Sequence, residues 1–185
     1  MLDDHADLYF TEADKPFVFR DLGAFTPAIS RLVFMLDYAR RNTLNDVQGL
    51  STAQLDAQVM MQGNTIGMLL THVVHVEETY QSVTFWGVRP TGRAAENVLS
   101  DAGREMFQGN GLEFYLDRLR AARERTLSEL AQRDDVWLHA EYRPWGGAPM
   151  NNLFCWFHVL EDEINHGGQI RILRKELELS LGLRE

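Results

Sequence analysis

Of the six histidines in the chain, four crowd into two stretches that read as helices. His72 and His75 lie in TIGMLLTHVVHVEETY, and His158 and His166 lie in FHVLEDEINHGGQIRILRK. Residues four apart on a helix project from the same side, so His158, Asp162 and His166 form one line, each a turn from the next. An imidazole and a carboxylate at that spacing can grip one divalent ion together. A third donor from another helix would complete a three-ligand site with a position left open for water or substrate. Catalytic zinc is held in this way, whereas structural zinc is enclosed by four ligands.

His72 falls in the middle of the apolar stripe of its helix, flanked by Leu69 and Val73. An imidazole buried there without a partner costs on the order of 1–3 kcal/mol. Two arrangements would satisfy it: an ion shared with Asp162 and His166, or a hydrogen bond to a neighbouring carboxylate or carbonyl. His75 reads as an exposed residue or as a support for His72. His158 is open between a fourth ligand, an acid/base group and a core histidine, and the acid/base role makes it the catalytic candidate. Glu161 and Glu163 flank Asp162 but point about 100° to either side, so they read as solvated or salt-bridged, with Glu161 also open as a residue that orients a ligand. Glu77 and Glu78 read in the same way as solvated or salt-bridged. Cys155 precedes Trp156-Phe157 and reads as a small core residue, with no flanking base or cation to lower its pKa.

Positioning these side chains requires long helices, and the apolar periodicity supplies four. The first runs from about Phe25 to Arg41, with Ile29, Leu32, Val33, Met35, Leu36 and Ala39 on one side and Thr26-Pro27 at its start. The second runs from about Thr65 to Phe85, with Asn64 as its expected cap. The third covers about Leu112 to Gln132, and the fourth runs from about Asn151 to Leu177. Leu50–Leu55 offers a short helix behind a serine cap, and a further helical turn is expected near Ala94–Arg104. In residues 133–150 the alternation of WLHAEYRP suggests an extended segment, and WGGAP a loop. Connections of this length do not force consecutive helices to be antiparallel neighbours.

The whole chain narrows the function classes. Its 185 residues suffice for one domain with its own core, and 45% apolar and 24% charged residues are ordinary globular composition. The reading is a single domain over residues 1–185, with 1–20 as an N-terminal extension. A formal charge of −9 argues against a nucleic-acid partner. The basic stretch Arg118–Arg125 alternates with acids and reads as a solvated helix face. No apolar run approaches the roughly 20 residues of a membrane span. The acidic N-terminus and the single cysteine point to a cytoplasmic protein. Phosphate loops, GxGxxG and GxSxG are missing. Glu163–His166 is a lone Glu-x-x-His spacing, so a ferritin-like di-iron site is not indicated.

The stretch GNTIGMLLTHVVHVEETYQSVTFWG resembles the second-helix signature of the DinB-like and YfiT-like superfamily. HVLEDEINHGGQIRILRKEL resembles its last-helix signature, and LSTAQLDAQ the short helix that precedes the second. The similarity covers most of residues 25–178. It implies an all-α, four-helix bundle with long inter-helix connections, often a homodimer, and an open divalent-metal site. Carried over residue by residue, the ligands fall on His72, Asp162 and His166. The branch similar to mycothiol-dependent maleylpyruvate isomerase has glutamate where this chain has Asp162, so the carboxylate is kept and shortened by one methylene. The resemblance implies transferase or isomerase chemistry on a small-molecule substrate with a low-molecular-weight thiol. Zinc is the first choice of metal, with nickel, iron or manganese compatible with the same donors. Tyr142, Arg143 and Trp145, just before the last helix, are candidates to line the cofactor pocket. Metal-assisted hydrolysis and a non-enzymatic stress-response role with a vestigial site are the alternatives.

Overall fold

The computed structural model describes residues 9–59, 63–91 and 98–180. Long helices α1 (Pro27–Val47), α3 (Ile66–Trp86), α5 (Leu112–Leu130) and α7 (Asn152–Ser180) form the bundle. Short helices α2 (Thr52–Leu55), α4 (Asp101–Phe107) and α6 (Asp135–His139) lie in the connections. The strands β1 (Glu141–Tyr142) and β2 (Met150–Asn151) pair antiparallel just before α7. His5 and residues 94–97 of the expected turn lie outside the described residues; the helix beyond them is α4.

The helix starts follow from their side chains. Pro27 opens α1, as expected where an amide hydrogen is not needed. There Asp135 of α6 accepts from the Thr26 hydroxyl and from the Ala28 amide at 3.2 Å, so a remote carboxylate serves as the cap. Ser51 and Gln54 form a reciprocal capping box around α2. The cap of α3 is Thr65, not Asn64: its hydroxyl accepts from the Met68 amide at 3.2 Å. Asn151 caps α7 by accepting from the Phe154 amide at 2.8 Å. The expected extended segment is helical over Asp135–His139, because the Asp134 carboxylate accepts from the Trp137 amide and starts a turn there. Only Glu141–Tyr142 is extended.

Contacts fix the helix directions. Arg40 meets Glu163 and Asp46 meets Arg171, so α1 and α7 run parallel. Glu77 meets Arg123 and Gln81 meets Thr126, so α3 and α5 also run parallel. His72 meets Asp162 while Tyr80 meets His158, which makes α3 and α7 antiparallel. The order is up-down-down-up, and the long connection carrying α4 permits the parallel α3–α5 step. Residues 9–25 pack along α1, with Phe10 stacked on Phe34 at 4.3 Å and the Tyr9 amide bonded to Asp37.

The core has two apolar clusters. One gathers Phe34, Leu36, Leu130 and Trp156 toward the start of α1 and α7. The other gathers Leu69, Leu70, Leu119 and Ile170 toward their ends. Between them lies a polar layer with one charged side chain from each long helix: Arg40, Glu77, Arg123 and Glu163, all 6% exposed or less. Arg123 belongs to the stretch expected to be solvated, and its burial corrects that reading. The energetic reason is that both carboxylates wait in the layer to receive it.

Candidate metal centre

α3 presents His72 from the middle of its stripe, and α7 presents Asp162 and His166 one turn apart. The antiparallel packing of the two helices brings them together. One donor atom from each of the three residues lies within 4.8 Å of the others. Asp162 Oδ1 is 3.4 Å from His72 Nε2 and 3.5 Å from His166 Nε2. The His72 and His166 rings meet edge to face at 4.7 Å. Side-chain exposures of 20%, 14% and 11% for His72, Asp162 and His166 describe a recess with one open side rather than a sealed core.

These separations are longer than ordinary hydrogen bonds, which fall at about 2.7–3.2 Å. They match the edge of a tetrahedron with ligands about 2.0–2.1 Å from its centre, an edge of about 3.3–3.4 Å. Asp162 Oδ2, His72 Nδ1 and His166 Nδ1 are buried without a hydrogen-bond partner among the described residues. Two imidazole nitrogens and a carboxylate oxygen brought this close, beyond ordinary hydrogen-bond length, are a donor set that fits a divalent ion. Burial works to raise the Asp162 carboxyl, but the imidazoles of His166 and His72 outweigh it together and hold it well below the usual carboxylate range. The same contact with Asp162 raises His166 against the opposing effect of burial.

The other sequence candidates take separate places. His158 lies outside the three-donor group; its Nδ1 is 3.2 Å from Glu161 Oε2, and its ring packs 5.5 Å from that of Tyr80. Trp145 stands at the other edge of Tyr80, 6.3 Å away and 42% exposed. Tyr142 turns inward, with its hydroxyl 3.4 Å from Cys155 Sγ, and burial raises both groups. Arg143 is exposed and donates to the Gly147 carbonyl within its own loop. His75 is half-buried, and burial followed by the charge of His72 lowers its pKa. Glu163, the start of the lone Glu-x-x-His spacing, points into the polar layer and binds Arg40 and Arg123 instead.

A family model described as mycothiol S-transferase matches residues 31–178, from the first turns of α1 to the last of α7. The chain belongs to the mycothiol S-transferase family. That membership places a DinB-like transferase family behind the bundle, and a small-molecule substrate with it. Among solved structures, a conserved protein from Enterococcus faecalis is similar with a TM-score of 0.63 and 13% identity. The match covers 77% of this chain and 92% of that one, and it shows the shared fold alone. No curated protein matches the sequence. No described helix is long and apolar enough to cross a membrane.

The polar layer was missed in the sequence, although a signal for it exists. Arg40, Glu77, Arg123 and Glu163 each stand four residues after a buried apolar residue: Leu36, Val73, Leu119 and Val159. A charge that continues the apolar stripe on every helix, two of each sign, marks a buried layer.

Proposed function

We propose that the chain is a metal-dependent thiol transferase, with His72, Asp162 and His166 as the ligands of one divalent ion. Zinc is the first choice, and nickel, iron or manganese suit the same donors. The convergence of His72, Asp162 and His166 from two helices carries this reading. When bound, the ion supplies a Lewis acid that favours the thiolate form of a coordinating thiol at neutral pH. The co-substrate is a low-molecular-weight thiol, mycothiol by family.

The chain's own residues supply orientation and proton handling. Asp162 stays ionised between the imidazoles and fixes how far α3 and α7 stand apart at the recess. His158, its Nδ1 held by Glu161, presents Nε2 as the acceptor of the thiol proton. The sulfur then bonds to an electrophilic carbon of the substrate, and the leaving group departs with its electron pair. Tyr80, beside His158 and packed against Trp145, lines the approach along α7, and Arg143 lies exposed in the same loop as Trp145. The functional unit is a cytoplasmic homodimer.

Elemental analysis of protein purified without a metal-affinity tag tests the ligand set. About one equivalent of metal is expected in wild type and none in His72→Ala or Asp162→Ala. The loaded protein should then consume mycothiol in the presence of an alkylating electrophile. Turnover without thiol would replace transfer by hydrolysis. Failure to take up any of the four metals would leave a bundle with structural histidines and a binding role.

A further inference from the structure

The charges between the two apolar clusters are fully partnered. Arg40 donates to Glu163 at 2.7 Å, to Glu77 at 2.9 Å and to the Leu119 carbonyl at 2.8 Å. Arg123 donates to Glu77 at 2.8 Å, to Glu163 at 3.1 Å and to the Leu36 carbonyl at 2.9 Å. The pattern is reciprocal, because each arginine bonds the carbonyl one turn before the other. Thr126 adds a bond to Glu77 at 2.6 Å. None of the four side chains leaves a polar atom orphaned among the described residues.

A layer of this kind is a poor source of stability, since desolvation of four charges offsets most of their attraction. It is an effective register mark. Sliding or rotating any helix would move an ionised group into an apolar cluster, where it would be buried unpaired. On α7 the marked residue, Glu163, lies between Asp162 and His166 in sequence. On α3 the mark, Glu77, stands five residues after His72, about 7.5 Å along the axis. Both walls of the recess are therefore anchored close to the donors. A donor atom about 6 Å from its helix axis moves about 1 Å for a 10° rotation, more than the roughly 0.5 Å tolerance of a working site.

We infer that the Arg40–Glu77–Arg123–Glu163 layer is a positioning device for the metal centre, holding α3 and α7 in the one register that brings His72 to Asp162 and His166. This inference rests on the ligand set proposed above. Its four members are positioning residues, since none of them touches the donor set.

The test is zinc affinity by chelator competition, together with the visible spectrum of the cobalt-substituted protein. These are measured on wild type, on Arg40→Met/Glu77→Leu/Arg123→Met/Glu163→Leu and on Glu163→Gln. Leu130→Ala, far from the layer, is the control for lost stability alone. The fourfold apolar variant is expected to melt near or above wild type, yet to bind zinc at least tenfold more weakly with an altered cobalt spectrum. Glu163→Gln, which keeps the side-chain shape, should weaken binding as well, and it decides the matter if the fourfold variant does not fold. Leu130→Ala should melt lower and bind as wild type does. Wild-type affinity and spectrum in either layer variant would overturn the inference while leaving the ligand set intact. Absence of zinc and cobalt binding in wild type would overturn both.

Discussion

Asp162 stands between two imidazoles at 3.4 and 3.5 Å, and its second oxygen is buried without a partner among the described residues. At this position charge and reach can be varied separately. Asp162→Asn keeps the shape and removes the charge, and should lower zinc affinity by more than the roughly 10–100-fold that losing an outer hydrogen-bond partner costs. Asp162→Glu adds one methylene and keeps the charge, so it should retain binding within about tenfold. Calorimetric titration of the metal-free protein distinguishes the two, and equal affinities in both variants would remove Asp162 from the ligand set. The grouping of these three side chains was legible in the sequence because a helix turns a spacing of four into a shared face, and because His72 interrupts an apolar stripe. The place of His158 was not legible. Its spacing puts it on the same line, but its neighbours are Glu161, three residues on, and Tyr80 of α3.

The elements meet at close quarters where α3 begins. A Cβ at Gly67 would stand 2.5 Å from the Tyr115 hydroxyl, which is fixed by its 2.7 Å bond to the Phe107 carbonyl. Gly67→Ala should therefore cost about 1–3 kcal/mol by overpacking, seen as a lower midpoint in urea with an unchanged slope. The polar layer makes a second prediction at this scale. Burial works to raise Glu77, but Arg123 and Arg40 outweigh it and lower the carboxyl from 4.5 to about 2. A depressed folded pKa means a contribution that is complete above the unfolded value and lost as pH falls through the folded one. Acid unfolding monitored by circular dichroism should steepen between pH 4.5 and about 2. Glu77→Gln should flatten that limb and cost about 3–5 kcal/mol at neutral pH, because it leaves the two arginines under-compensated. Three of the four long helices were readable from periodicity to within three residues, whereas α1 runs six residues beyond the expected Arg41, to Val47. Helix α6 was not, because a single Asp134 cap overrode the alternation of the residues after it.

Across the whole molecule, direction was the hidden variable. Apolar stripes tell which side of a helix is buried but not which neighbour covers it, and a long connection leaves both directions open. The contacts that settle it join distant positions, such as Arg40 with Glu163 and Arg171 with Asp46. On the outer side of the α1–α7 pair, Leu32, Met35, Leu153, Phe154, Phe157 and Leu160 line an apolar groove of about 370 Å³. Phe154 and Phe157 are 48% and 52% exposed there. If the homodimer implied by the resemblance forms across this face, Phe157→Asp should convert it to a monomer in light-scattering chromatography without loss of helical signal. A dimer that survives the substitution would place the contact elsewhere. The up-down-down-up order also sets a timetable. During synthesis α1, α3 and α5 emerge first, bringing His72, both arginines of the polar layer and one of their two acids. The nascent chain then holds one of the three converging side chains and a positive excess in its core. Both deficits are made good by α7, so the protein acquires its neutral interior and its His72–Asp162–His166 group in the same event, when the last of the four long helices docks.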